Sequence, residues 1–133
     1  MIRKNEVMDY LKGLENNELL EILYLFGSFA NDLENPARDL DLAAIFSLKV
    51  DQERILWVSR DLQARISEDL QMPVDLIDLE TAPAYLGQLI LQTGLLIFCK
   101  NEERRIETTL SIFRDYGDSP AEHYFYLGFE NGQ

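Results

Sequence analysis

The sequence has 133 residues, 47% of them hydrophobic, and carries a net charge of −12. This length and hydrophobic content predict one folded domain over residues 1–133. The negative charge repels phosphate groups and argues against direct binding of nucleic acid. Charged residues interrupt every apolar run before it could span a membrane, and the N-terminus lacks an apolar signal region. Together with a single cysteine, Cys99, these features predict a cytoplasmic protein.

Apolar spacing along the chain predicts helices that alternate with strands, which is typical of an α/β fold. Capping residues, glycines and prolines mark where the elements begin and end. In chain order we predict a helix over residues 5–16, a strand from about Ile22 to Phe26, a strand over 40–48, a helix capped by Asp51 and ended by Pro73, a strand over 74–79, a helix over 84–93 stopped by Gly94, a strand over 95–99 and a helix capped by Asn101.

The lengths of the connections predict the directions of the strands. A helix of about twenty residues joins the second and third strands, which is long enough for a parallel right-handed crossover. The ten residues 29–38 between the first two strands are too few for a crossover. The first strand therefore runs antiparallel to the second, and we expect a small mixed sheet flanked by helices.

This arrangement brings carboxylates together at one edge of the sheet. The end of the first strand, at Gly27, would lie beside the start of the second, where Asp39 and Asp41 point to the same face. The third strand would start at the same edge and would add Asp75. Three clustered carboxylates repel one another unless a cation lies among them, and hard oxygen ligands suit Mg²⁺ or Mn²⁺.

Such a site has the chemistry for phosphoryl or nucleotidyl transfer. Metal ions held by three carboxylates can stabilise the attacking and leaving oxygens, and Asp75 could take the proton from the attacking hydroxyl. Gly27 would let a triphosphate approach the backbone closely, while Ser28, at the start of a predicted short helix, would hold the outer phosphates. Asp78 competes with Asp75 for the third acidic position, and we prefer Asp75 because it lies at the start of the strand.

The motif Gly27-Ser28, ten residues, then Asp39-Leu40-Asp41, with a third acid in "PVDLIDL", resembles the nucleotidyltransferases of the DNA polymerase β superfamily. The short chain is similar to the minimal nucleotidyltransferases (MNT), many of which are antitoxins of HEPN–MNT toxin–antitoxin pairs. The resemblance implies the nucleotidyltransferase fold and transfer of AMP from ATP, with Mg²⁺, to a tyrosine of a HEPN ribonuclease toxin.

The resemblance also implies roles for individual residues. Gly27 and Ser28 would bind the triphosphate, Asp39 and Asp41 would be metal ligands, and Asp75 would be the third ligand or the base. The sequence departs from many relatives at Arg38, where they have serine before the first acid. Arg38 could aid phosphate binding or pair with a nearby acid.

Two other functions remain open from the sequence alone. The chain could be an antitoxin that neutralises its toxin by binding, with the acidic motif no longer used. It could also be a nucleotidyltransferase that modifies a small molecule, although nothing in the sequence would build a second domain to hold that acceptor. The aromatic tail from Tyr124 to Phe129 could either pack on this domain or dock a partner.

Overall fold

The computed structural model describes residues 3–27 and 39–114. These residues form four helices and four strands, with short 3₁₀ turns at Leu14–Asn16 and Gln52–Arg54. In chain order the elements are α1 (Lys4–Gly13), β1 (Leu20–Phe26), β2 (Leu40–Phe46), α2 (Ile55–Leu70), β3 (Val74–Asp78), α3 (Ala84–Thr93), β4 (Leu95–Cys99) and α4 (Glu102–Arg114). The predicted alternation of helices and strands is confirmed.

Two of the predicted helix boundaries have a different physical basis from the one expected. Asp51 precedes a 3₁₀ turn, and its side chain makes no capping hydrogen bond; its backbone carbonyl accepts from Arg54 N–H at 2.9 Å. At the other end, α2 stops at Leu70 because Gln71 takes a left-handed conformation with φ of 54°. Pro73 lies beyond this turn and does not itself end the helix.

The cap predicted for the last helix is confirmed. The side-chain Oδ1 of Asn101 accepts a hydrogen bond from the backbone N–H of Arg104 at 3.0 Å. This bond satisfies one of the N–H groups that the first turn of any helix leaves without an intrahelical partner.

The four strands form one mixed sheet in the order β3-β2-β1-β4. β1 runs antiparallel to both β2 and β4, while β2 and β3 run parallel. The predicted directions of the first three strands are thus confirmed. In this topology the end of β1 and the starts of β2 and β3 lie at the same edge of the sheet, as the connection lengths indicated.

Both faces of the sheet are covered by helices. One face buries the side chains of Leu23, Leu42 and Leu76 against apolar residues of α1 and α2. The opposite face buries other side chains of β1 and β2, among them Tyr24 and Ala43, against Ile90 of α3 and Ile112 of α4. The alternation of side chains along each strand supplies both cores. The same alternation determines to which face of the sheet each polar side chain of a strand points.

Within the two described segments, no helix has the length and apolarity needed to cross a lipid bilayer.

Candidate active site

Gly27 directly follows β1 and has a backbone conformation that favours glycine. Its φ is +77°, a region that other residues adopt only with strain. A Cβ at this position would lie 2.3 Å from Oδ2 of Asp41, far inside van der Waals contact. The absence of a side chain at position 27 is therefore what lets the backbone approach the carboxylate. The sequence prediction that Gly27 lies beside Asp41 is confirmed.

The predicted acidic cluster comes together at the start of β2 and β3. Asp41 is paired in register with Phe26 on one side and with Asp75 on the other. Asp39 directly precedes β2 and is near enough for its negative charge to act on Asp41. Asp39 and Asp75 are exposed, whereas Asp41 is half-buried. The structure thus places three carboxylates and Gly27 at one edge of the sheet.

Asp78 lies at the opposite end of β3 and is engaged in a turn. Its Oδ1 accepts from the backbone N–H of Glu80 at 3.2 Å, and its Oδ2 accepts from the hydroxyl of Thr81 at 3.1 Å. It is paired in register with Ala44, three residues beyond Asp41. Asp78 therefore stabilises the turn that follows β3. Asp75 is the third acid near Asp39 and Asp41.

The pKa of Asp41 is changed by its surroundings in the acidic cluster. Burial, followed by the negative charges of Asp75 and Asp39, raises the pKa of Asp41 above its ordinary value. All three influences disfavour the charged form, and a cation bound among the carboxylates would favour it. Within residues 3–27 and 39–114, no three acidic, histidine or cysteine side chains are already arranged around one point as metal ligands. The carboxylates are neighbours but do not form a closed cage.

The raised pKa of Asp41 predicts a stability change in the metal-free protein. Between the unfolded and folded pKa values the folded state binds more protons, so stability falls as the pH rises through that window. We expect Asp41→Asn to remove this penalty and to stabilise the protein at pH 7 by only about 0.2–1 kcal/mol, because solvent screens the charge of a half-buried carboxylate. The gain should shrink as the pH falls toward the ordinary value of 3.8. Urea unfolding at pH 7 and at lower pH measures it, with the exposed Asp51→Asn as the control that should change little.

Gly94 supports the site through a close backbone contact that the sequence pattern does not indicate. The sequence predicts only a helix stop there, and Gly94 does follow α3, in an extended conformation with φ of −80°. A Cβ there would lie 2.6 Å from the carbonyl oxygen of Ile90 and 3.1 Å from that of Leu25. Gly94 therefore lets the α3–β4 turn pack against the end of β1, just before Gly27. A glycine between a helix and a strand was the only local signal.

Some of the predicted site residues lie outside the described residues. Ser28 and Arg38, the other two residues predicted to bind nucleotide, fall in the segment between Gly27 and Asp39. The aromatic tail from Tyr124 to Phe129 also falls outside. Their predicted roles stay predictions.

Comparison with known families identifies the class of protein. The family described as "Polymerase beta, Nucleotidyltransferase" matches residues 9–103, a range that includes Gly27, Asp39, Asp41 and Asp75. The chain belongs to this nucleotidyltransferase family. The expectation drawn from the glycine-serine motif and the three acids is confirmed at the level of the family.

One curated protein is similar in sequence to this chain. The protein adenylyltransferase MntA of Shewanella oneidensis is 27% identical over 94 residues, which are 70% of this chain and 63% of that protein. The chain thus spans less than two thirds of the length of this curated relative.

Two solved structures show the same fold at 21% identity. A toxin–antitoxin structure with AMP-PNP has a TM-score of 0.64 and covers 95% of this chain and 96% of its own. A structure of the tri-AMPylated S. oneidensis HEPN toxin in complex with MNT antitoxin has a TM-score of 0.64 and covers 93% and 95%. These likenesses confirm the nucleotidyltransferase fold predicted from the sequence.

Proposed function

We propose that this protein is an antitoxin of the minimal nucleotidyltransferase type, which transfers AMP from ATP to a tyrosine of a HEPN toxin and so neutralises it. The observation that carries the proposal is the grouping of Gly27 with three carboxylates at one edge of the sheet. Membership of the nucleotidyltransferase family supports the reaction. The related adenylyltransferase MntA and the structure of an AMPylated HEPN toxin with an MNT antitoxin support the acceptor.

Asp39, Asp41 and Asp75 are the residues that would hold Mg²⁺. Their oxygen donors suit a hard cation. The pKa of Asp41 is raised first by burial and then by the negative charges of Asp75 and Asp39, which such a cation would offset. Because Gly27 has no Cβ, Oδ2 of Asp41 can lie close to the backbone of residue 27. When bound, the metal ion supplies charge stabilisation for the oxygens of the reacting phosphate.

The residues of the chain bind and orient the reactants. Because Gly27 has no side chain, the triphosphate can approach its backbone closely. Ser28 and Arg38 are proposed to bind the phosphates. The tyrosine oxygen of the acceptor attacks the α-phosphorus of ATP and forms a new P–O bond. The bond between the α-phosphorus and the bridging oxygen breaks, and pyrophosphate leaves with the electron pair. Asp75, exposed at the start of β3, accepts the phenolic proton.

The charge of the chain agrees with a protein acceptor. A net charge of −12 is unfavourable for binding RNA or DNA directly, whereas it is compatible with a partner that carries basic residues. Because ATP is the proposed donor, we place the reaction in the cytoplasm.

Intact mass of a co-expressed HEPN partner tests this function. With the native protein we expect the partner to gain mass in steps of one AMP. With Asp39→Ala/Asp41→Ala we expect no gain, because two of the three carboxylates are removed. A HEPN partner that stays unmodified by the native protein, yet is neutralised equally by both proteins, would favour neutralisation by binding alone.

A further inference from the structure

Within the described sheet β3 is the outermost strand on one side, and side chains of α2 bind both outward backbone groups of its central residue, Leu76. Leu76 has its N–H bound by Oε1 of Gln63 at 2.8 Å, and its carbonyl oxygen accepts from the hydroxyl of Ser59 at 3.0 Å. Ser59 and Gln63 are four residues apart, so they project from the same face of the helix. The N–H and C=O of Leu76, which point away from the other described strands, are therefore both paired within the protein.

These contacts lie one residue from a proposed catalytic carboxylate. Asp75 directly precedes Leu76, and the two side chains point to opposite faces of the sheet. Leu76 is buried beneath α2. Asp75 is exposed near the start of β3, where it lies in register with Asp41. Among the described strands β3 pairs only with β2, and on its other side Ser59 and Gln63 of α2 hold the backbone of Leu76. The position of Asp75 relative to Asp41 thus depends on both the β2 ladder and the helix.

We propose that Ser59 and Gln63 are positioning residues, which hold the backbone at Leu76 so that Asp75 stays in register with Asp41. This inference rests on the proposed function of the acidic cluster. Neither residue contacts the reactants; both act through the strand. Loss of one such bond leaves a buried or part-buried backbone group of Leu76 without its partner, while the pairing of β3 with β2 remains. The strand should therefore stay in the sheet but move more freely. A displacement of about 1 Å at a reacting centre can lower the rate by about 10²-fold.

Gln63→Leu tests the inference because leucine keeps the size of the side chain and removes the acceptor. We expect at least a tenfold decrease in kcat for AMP transfer, an increase in the Mg²⁺ concentration that gives half the maximal rate, and a KM for ATP that changes by less than about twofold. Gln63→Glu keeps an acceptor for Leu76 N–H and should restore most of kcat. The control is Gln52→Leu, the same substitution at an exposed residue of the turn before α2.

Amide hydrogen exchange gives a readout that does not need activity. We expect exchange at Leu76 to be at least tenfold faster in Gln63→Leu than in the native protein, with β1 amides unchanged and with Gln63→Glu close to native. Ser59→Ala should shift the same amide in the same direction by a smaller factor. All assays are made well below the melting temperature of each variant, so that the folded state is compared.

The outcomes separate this inference from the proposed function. Unchanged exchange at Leu76, or native kcat and Mg²⁺ dependence in Gln63→Leu, would overturn the positioning role. If the native protein transfers no AMP to its partner, the proposed function is wrong. The alignment of Asp75 with Asp41 then has no role in catalysis, whatever the exchange rate at Leu76. Faster exchange together with a lower kcat and recovery in Gln63→Glu would support both.

Discussion

Asp75→Asn is expected to lower kcat for AMP transfer by on the order of 10³-fold, because one of three proposed metal ligands and the proposed base is lost. The substitution changes little in volume and removes only the charge and one acceptor. Asp75 is exposed at the start of β3, so folding should be largely unaffected. Transfer of label from ATP to a purified HEPN partner, measured at saturating ATP and Mg²⁺, gives kcat directly.

Asp78→Asn is the matched control, since it is the same substitution on the same strand. Asp78 lies three residues further along, about 10 Å from Asp75, and accepts hydrogen bonds from Glu80 and Thr81 in a turn. We expect kcat within about twofold of the native value and a small loss of stability. If Asp78→Asn abolished transfer while Asp75→Asn remained active, the third acid would be misassigned.

Gly27→Ala is expected to lower kcat by on the order of 10²-fold, because the added methyl group displaces a proposed catalytic carboxylate. The new Cβ would lie 2.3 Å from Oδ2 of Asp41 and 3.2 Å from its Cγ. The Asp41 side chain is short and can turn away, which relieves the clash but moves the carboxylate. Alanine at a φ of +77° adds strain of about 1–2 kcal/mol. Kinetics and urea unfolding measure the two effects separately.

Gly13→Ala is the control for Gly27→Ala. Gly13 has helical backbone angles at the end of α1, and a Cβ there would meet no atom within 4 Å. Alanine favours a helix over glycine by about 0.5–1 kcal/mol, so this variant should be slightly more stable and fully active. A loss of activity in Gly13→Ala equal to that in Gly27→Ala would show that the effect is not local to the site.

A double variant tests whether Gly27 acts through Asp41. If the methyl group lowers kcat by displacing this carboxylate, Gly27→Ala/Asp41→Asn should be no slower than Asp41→Asn alone. Additive losses would mean that Gly27 has a separate role, such as close approach of the triphosphate to the backbone. Both results are compatible with nucleotidyl transfer, but they assign different functions to the glycine.

The sequence by itself determined the elements of the described region and the edge at which the site forms. Apolar runs broken by Gly27, Gly94 and the capping Asn101 placed the strands and helices, because these signals act between residues close in the chain. The short connection over residues 29–38 excluded a crossover and so made β1 and β2 antiparallel. From these facts alone Asp39, Asp41 and Asp75 could be assigned to one edge.

Only the tertiary structure decided the register and the contacts that fix it. The pairing of Asp41 with Asp75, and the 2.3 Å approach of a Gly27 Cβ position to Asp41, depend on how β1, β2 and β3 align. That alignment depends on contacts between residues far apart in the chain, and we propose that the hydrogen bond from Leu76 N–H to Gln63 of α2 is one of them. A local sequence pattern reports periodicity and turns, whereas strand register arises from packing between distant segments, and one slipped residue would turn every side chain of a strand to the other face.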